Sequence, residues 1–274
     1  MKRYFGILLE QKRPLRFLLA RGLSKSGLCR IFKITQSGYR LYFHSANLSE
    51  QLWIDPKARI EALEFFSAYL KPGDKVIDVG ANIGDTVLTA SRCVGQDGHV
   101  WAIEPHPRIF HFLADNLTLN AATNVTAINC AVGAATSEVP FTNDRRDDMN
   151  RVGLGPMTVS LRRLDDLIPR SERISLLKVD VEGYEKPVLL GAHRTLDNVD
   201  CIHVEVSKKH FAWYGYAISD LLELLQSNGF KIFRIPMNGH LREVDVSYET
   251  DTVENFIGAR DPTELCRRTD WNVD

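Results

Sequence analysis

The chain has 274 residues, of which 44% are hydrophobic and 25% are charged, a composition typical of a globular protein with one large domain or one domain plus an extension. The formal net charge is −1, yet residues 1–33 contain nine Lys or Arg residues and a single acid, Glu10, which leaves 25 basic and 34 acidic residues in the remainder. A body this acidic argues against a nucleic-acid substrate, because phosphate backbones are held by Lys and Arg.

Residues 1–38 are predicted to form a basic helical extension. Two apolar-periodic segments, residues 13–20 and 25–32, are separated by Gly22 and flanked by basic residues. The charge of the extension predicts contact with an anionic membrane surface or with a partner protein. The alternative is a lid over the active site or a dimerisation arm, which would make the protein a homo-oligomer.

The second predicted domain covers residues 39–274. It begins with a short strand at residues 39–43 and a helix at residues 56–70, which is followed by Pro72-Gly73. Strands then alternate with helices, a pattern typical of a parallel sheet covered on both faces. The predicted strands cover residues 75–79, 99–104, 125–130, 174–179, 201–206, 231–235 and 254–259. The predicted helices cover residues 85–93, 107–119, 184–190 and 218–227.

The last two predicted strands are joined by a polar loop without a helical pattern. We therefore expect them to pair antiparallel, because a parallel connection needs a covering element. The sequence thus predicts an α/β fold, in which a seven-stranded sheet has helices on both faces and an antiparallel hairpin at its C-terminal end.

A glycine turn connects the first strand of this sheet to the next helix, in the sequence Asp78-Val-Gly-Ala-Asn-Ile-Gly84. Glycine lets the backbone approach a ligand, and Asn is among the few other residues that accept the left-handed conformation. A dinucleotide fingerprint fails here, because its second and third glycines would fall at Asn82 and Asp85. The spacing is closer to that of turns that bind S-adenosylmethionine (SAM). We predict that the following residues of the turn bind SAM: Asp78, Gly80, Ala81, Asn82 and Gly84.

An acid at the end of the next strand strengthens this interpretation. Glu104 lies twenty residues after Gly84, and a carboxylate offers two acceptor oxygens to the two hydroxyls of a ribose. The alternative is an exposed acid that caps the following helix. We expect Pro105 to lie beside the cofactor, and Cys130 and Ala131, which follow the third strand, to flank its adenine.

Acidic side chains also follow the fourth and fifth strands. Ligands bind outside the carboxyl ends of strands in such sheets, so we expect Asp180 and Glu205 near the transferred methyl group. Our candidates for activating an acceptor hydroxyl are Asp180 first, then Glu205, then His210. They would act directly as a general base or through a divalent metal, for which we predict no ligands. Glu182 is a third acid in this region, and it could instead bond backbone amides at the turn. His210 could instead lie in a solvated loop.

Five scattered cysteines without a C-x-x-C pair indicate reduced thiols in a cytoplasmic protein, and a structural zinc site is not expected. No apolar run approaches the ~20 residues that span a bilayer. The N-terminal sequence has basic residues but no apolar core followed by a cleavage site, so we expect no signal peptide.

The chain resembles the FkbM family of methyltransferases over roughly residues 39–259. The resemblance rests on the motifs Asp78-Val-Gly-Ala-Asn-Ile-Gly84, Ala102-Ile-Glu-Pro105, Leu177-Lys-Val-Asp-Val-Glu-Gly-Tyr-Glu185 and His203-Val-Glu-Val206. It implies a class I SAM-dependent, Rossmann-like fold and O-methylation of a hydroxyl on a sugar, glycan or polyketide-like natural product, with S-adenosylhomocysteine as the second product. It also implies that Asn82 is the family's own residue at that position.

Two other functions fit the same residues. The chain could be a catalytically inactive module that binds SAM as a scaffold, or an N-methyltransferase acting on a peptide or small amine. The acceptor pocket is expected in the loops at residues 143–157 and 207–217. These loops contain five basic residues that weakly favour a phosphorylated or acidic acceptor: Arg145, Arg146, Arg151, Lys208 and Lys209.

Overall fold

The computed structural model describes residues 13–36, 38–144, 150–235 and 239–273. Its strands, in chain order, are β1 (Lys33–Thr35), β2 (Arg40–Tyr42), β3 (Lys75–Val79), β4 (His99–Ile103), β5 (Val125–Ile128), β6 (Ala131–Val132), β7 (Ser137–Phe141), β8 (Met157–Arg162), β9 (Ile174–Val179), β10 (Val199–Val206), β11 (Lys231–Arg234), β12 (His240–Glu243), β13 (Glu254–Ala259) and β14 (Asn272–Val273). Its helices are α1 (Pro14–Ser26), α2 (Asn47–Ile54), α3 (Ile60–Tyr69), α4 (Asp85–Val94), α5 (Pro107–Leu119), α6 (Leu164–Leu167), α7 (Glu185–Leu190), α8 (His193–Leu196), α9 (Lys208–Ala212), α10 (Ile218–Ser227) and α11 (Pro262–Thr269). None of these helices combines the length and the apolar character that a membrane crossing requires.

The main sheet has the strand order β14-β12-β11-β13-β10-β9-β3-β4-β5. Its central strands β10, β9, β3, β4 and β5 are parallel, and β13 runs antiparallel to both β10 and β11. The predicted α/β fold and the antiparallel pairing of its last two predicted strands are therefore confirmed. The sheet has nine strands rather than seven, because β12 forms in the loop between β11 and β13 and β14 pairs beside it.

The sheet is buried on both faces, and alternate residues of each central strand belong to different hydrophobic clusters. In β3, Val76 packs into one cluster with α4 and α5, whereas Ile77 packs into the other with α7 and α10. Leu176 and Leu177 of β9 divide in the same way. This alternation follows from the two-residue period of a strand. Because both faces of the sheet are buried, these strands have largely continuous apolar sequences.

The N-terminal region differs from its predicted form. Helix α1 runs through Gly22 and ends at Ser26, before Gly27, whose φ of +74° is left-handed, and a short 3-10 helix follows at Cys29–Ile31. A glycine within a helix costs only about 1 kcal/mol relative to Ala, so Gly22 weakens the helix without ending it. The strand β1 pairs antiparallel with β2, across the proposed boundary between residues 38 and 39.

Several further elements were not predicted, among them helix α2 and a second sheet. Helix α2 precedes the predicted helix at residues 56–70, and that helix begins only at Ile60 because residues 56–59 form a turn. Strand β5 ends at Ile128, after which β6, β8 and β7 form a separate three-stranded sheet. Both elements are short, and periodicity is a weak signal in short segments.

Candidate active site

A cavity of about 430 Å³ lies at the carboxyl ends of β3, β4, β9 and β10. Its lining includes nine of the twelve residues proposed from the sequence: Gly80, Asn82, Glu104, Pro105, Cys130, Ala131, Asp180, Glu205 and His210. Asp78, Ala81 and Gly84 do not line it. The cavity crosses three strand spacings between β4 and β10, about 14 Å, so it extends along the edge of the sheet rather than over one strand.

Three alternate residues of the glycine turn are in the left-handed region, with φ of +88° at Gly80, +47° at Asn82 and +93° at Gly84. The expected left-handed conformation of Asn82 is therefore present. A Cβ on Gly80 would lie 1.9 Å from the carbonyl oxygen of Asp180. Gly80 therefore lacks a side chain because the end of the neighbouring strand β9 lies too close for one. The sequence had instead suggested that a ligand lies close to the backbone here.

Glu104 is held at the cavity wall by two backbone N–H groups. Asn82 N–H donates to its Oε2 at 3.0 Å, and His106 N–H donates to its Oε1 at 2.8 Å. Only 7% of the residue is exposed, so the alternative of an exposed capping acid is wrong. These two bonds join the glycine turn to the segment that enters α5, and they fix the orientation of the carboxylate.

Lys178 is a site residue that the sequence interpretation missed. It is 3% exposed, and its Nζ lies 3.0 Å from Oδ1 of Asp78, 3.1 Å from the Gly80 carbonyl oxygen and 3.4 Å from Oδ2 of Asp180. Asp78 also accepts a hydrogen bond from the Thr86 hydroxyl. Asp78 therefore neutralises a buried cation beneath the turn. A lysine in the largely apolar strand β9 was the available signal, because a buried charge needs a partner.

Asp180 lies next to two cations. Burial alone would raise the pKa of its carboxyl group, but Lys178 and Arg59 lower that pKa below its ordinary value. The side chain remains 30% exposed and lines the cavity. An ionised carboxylate with a lowered pKa is a good hydrogen-bond acceptor but a weak base.

Glu205 differs from Asp180 in its electrostatics. Burial and the negative charge of Asp180 raise the pKa of Glu205, despite the opposing effect of His210. The side chain is 18% exposed, and its Oε2 lies 3.8 Å from Nδ1 of His210. A carboxylate with a raised pKa is the better proton acceptor near neutral pH.

Three side chains at this end of the cavity have the types and spacing of a metal site. Nδ1 of His210 lies 3.3 Å from Oε2 of Glu182, and together with Glu205 these residues offer ligand atoms within 4.8 Å of one another. Carboxylate and imidazole ligands suit several divalent cations. The group could hold a cation, or the carboxylates could orient the imidazole directly.

In the turn after β9, the acid that accepts backbone hydrogen bonds is Glu185, whereas the sequence had suggested Glu182. Oε1 of Glu185 accepts hydrogen bonds from the N–H groups of Val181 and Gly183, at 3.0 and 3.3 Å. Burial raises the pKa of Glu185 to about 8. Glu182, with a φ of +55°, contacts His210 at the cavity.

The predicted solvated loop around His210 is instead the short helix α9. The imidazole stacks on the Trp213 ring at 4.5 Å, and the Arg151 guanidinium lies 3.8 Å from the centre of the same ring. Trp213 is 37% exposed. Lys208 pairs with Glu249, and Arg145 and Arg146 lie outside the described residues. The described basic residues of the two loops do not line the cavity.

Helix α2 and the turn after it form an unpredicted part of the cavity wall. Asn47, Leu48 and Gln51 of α2 line the cavity, as does Arg59. The Nε of Arg59 lies 3.1 Å from Oδ2 of Asp85 at the start of α4. This wall comes from residues before the glycine turn, where the sequence offered no motif.

The family model of the methyltransferase FkbM domain matches residues 78–232. Methyltransferase sdnD of Sordaria araneosa is 30% identical over 200 residues, covering 58% of this chain and 74% of that protein. Hexuronic acid methyltransferase AglP of Haloferax volcanii is 27% identical over 190 residues, covering 66% of this chain and 77% of that protein. The crystal structure of methyltransferase FkbM from Methylobacillus flagellatus has a TM-score of 0.45 at 19% identity and covers 77% of this chain, which spans 52% of that protein.

Proposed function

The chain belongs to the FkbM methyltransferase family, and from this premise we propose that it uses SAM to methylate a hydroxyl group on a sugar, a glycan or a polyketide-like natural product. The observation that carries this proposal is that Glu104 lines the same cavity as Asp180, Glu205 and His210. One part of the cavity is thus suited to a ribose and another to removing a proton.

The residues around the glycine turn fit the cofactor. Each oxygen of a carboxylate has more than one acceptor position, so Glu104 accepts ribose hydroxyls while it keeps the N–H groups of Asn82 and His106. Gly80 and Asn82 line the cavity. When bound, SAM supplies a methyl group on a positively charged sulfur, and S-adenosylhomocysteine is released after transfer.

The proton of the acceptor hydroxyl passes to Glu205, assisted by His210, as the acceptor oxygen forms its bond to the methyl carbon and the sulfur–carbon bond breaks. The raised pKa of Glu205 supports this role. Asp180, whose pKa is lowered, accepts a hydrogen bond from the acceptor and orients it. This order reverses our ranking from sequence, in which Asp180 came first.

The acceptor class is supported by one relative. AglP is named as a hexuronic acid methyltransferase, and on this basis we propose that this chain also methylates a sugar. Cytoplasmic location and the division into residues 1–38 and 39–274 are also proposals. The five cysteines are free thiols, in agreement with a reducing compartment.

Transfer of a labelled methyl group from SAM into fractions of host glycans, lipids, peptides and small molecules tests the proposal. We expect label in a glycan or hydroxylated small-molecule fraction, and labelling slower by about 100-fold to 10,000-fold when Glu205→Gln replaces the parent protein. Label confined to peptides or amines would instead indicate N-methylation. Binding of SAM without transfer to any fraction would indicate the scaffold function.

A further inference from the structure

Helix α1 has one apolar face against the protein and another facing solvent. On the inner face, Ala20 is fully buried and Leu23 packs against the core. On the outer face, Leu15, Leu18 and Leu19 are 76%, 51% and 59% exposed. Their spacing of three and four residues places them on one side of the helix. An exposed strip of leucines on a helix marks an interaction surface.

The outer strip is bordered by positive charge. At 100° per residue, Arg21 and Lys25 fall on one side of the strip and Arg16 on the other. Residues 13–33 contain six basic residues and no acid, and all six are exposed. Two more exposed apolar side chains, Leu28 and Ile31, follow the helix.

The helix is attached to the body of the protein, and among the described residues its outer strip remains exposed. Arg16 donates to the Trp53 carbonyl oxygen at 3.1 Å, and the Ser24 hydroxyl donates to Glu50 at 2.6 Å. Both partners belong to α2, of which Asn47, Leu48 and Gln51 line the cavity. The outer strip therefore lies one helix away from the cavity.

We propose that α1 docks on an anionic membrane surface, with Leu15, Leu18 and Leu19 among the lipid chains and Arg21 and Lys25 against lipid phosphates. Exposed leucines bordered by Arg and Lys are the combination found in helices that lie in the membrane interface. Each basic residue near an anionic surface strengthens binding about fivefold. The excess of acidic residues beyond residue 33 is repelled by the same surface, so charge orients the protein with α1 toward it.

Flotation with lipid vesicles tests this proposal. We expect the full chain to float with vesicles of phosphatidylcholine mixed with phosphatidylglycerol, and not with phosphatidylcholine alone. The triple variant Leu15→Gln, Leu18→Gln, Leu19→Gln should bind at least about tenfold more weakly. The double variant Arg21→Gln, Lys25→Gln should lose about fivefold for each charge. All of these side chains are exposed, and circular dichroism melting checks that the variants stay folded.

Matched controls are Leu190→Gln and Lys231→Gln, which change an exposed leucine and an exposed lysine elsewhere. They should float like the parent protein. Equal flotation of the parent and the triple variant would overturn the proposal, as would a parent that does not float. Self-association that the triple variant abolishes, in a protein that ignores vesicles, would assign the strip to a second copy and also overturn it.

Discussion

The Nζ atom of Lys178 lies 3.0 Å from Oδ1 of Asp78, in the buried layer directly beneath the glycine turn. The two residues are register partners on the neighbouring parallel strands β9 and β3. Since the same Nζ also contacts Gly80 and Asp180, one cation connects the turn assigned to the cofactor with the carboxylate assigned to the acceptor. Its removal should affect both stability and the site.

Lys178→Met should destabilise the protein by about 3–5 kcal/mol, because it leaves the buried carboxylate of Asp78 without its cation. Urea denaturation measures the change in the free energy of unfolding. The control Lys186→Met removes a partly exposed pair with Asp220, and it should cost no more than about 1 kcal/mol. Equal costs for the two variants would show that the buried pair does not stabilise the fold.

Gly80→Ala tests the contact between the turn and β9. The new Cβ would meet the Asp180 carbonyl oxygen at 1.9 Å, so we expect a loss of more than about 2 kcal/mol and weaker cofactor binding. Gly73→Ala is a matched control, because its φ is +87° but nothing lies within 4 Å. The two variants share the left-handed strain, and their difference in thermal denaturation isolates the clash. No difference would remove this explanation for Gly80.

The rate of methyl transfer should rise with pH as the proton acceptor ionises. Burial and Asp180 raise the pKa of Glu205, so this rise is expected above the ordinary range of a glutamate. Glu205→Gln should abolish the rise and lower kcat by about 100-fold to 10,000-fold. Asp180→Asn should lower kcat and keep the rise, but the rise should move to lower pH because the charge that raises the pKa of Glu205 is lost. A rise that persists in Glu205→Gln and disappears in Asp180→Asn would return the base to Asp180.

Glu185 makes stability depend on pH. Its folded-state pKa of about 8 exceeds the unfolded value of about 4.3, so its stabilising contribution is complete below the unfolded value and is lost as pH rises through about 8. Glu185→Gln keeps an acceptor for the N–H groups of Val181 and Gly183 and cannot ionise. Urea denaturation at pH values between the unfolded and the folded pKa should show that this variant loses less stability than the parent protein as pH rises. Glu223→Gln, at an exposed position of α10, should follow the parent, and parallel curves for all three proteins would contradict the assignment.

Much of the fold could be predicted from local patterns. Apolar runs located the central strands, and the polar loop before residue 254 predicted an antiparallel pair. The left-handed conformation at Asn82 followed from residue type. The partners of Lys178 could not be predicted, because Asp78 is 100 residues away and the contact depends on the register between β3 and β9. The wall formed by α2 depends on tertiary packing of a short helix, which carries little periodic signal.

The ranking of the acids also required the structure. From sequence, Asp180 and Glu205 are both carboxylates at the ends of strands, and the sequence interpretation ranks Asp180 first. The pKa of Asp180 is lowered because Lys178 and Arg59 outweigh the effect of its burial, whereas burial and the negative charge of Asp180 raise the pKa of Glu205 despite the opposing effect of His210. Burial and neighbouring charge shift a pKa in opposite directions, and neither can be read from the order of residues.

Calorimetric titration of S-adenosylhomocysteine tests the central claim that Glu104 holds the cofactor. The parent protein should bind, and Glu104→Ala should bind about 100-fold more weakly, since two hydrogen bonds to a charged group are lost at about 1.5 kcal/mol each. Glu182→Ala, which changes another acid in the same cavity, should keep the parental affinity. A parent that does not bind S-adenosylhomocysteine, or a folded Glu104→Ala protein that binds it as tightly as the parent does, would contradict the account.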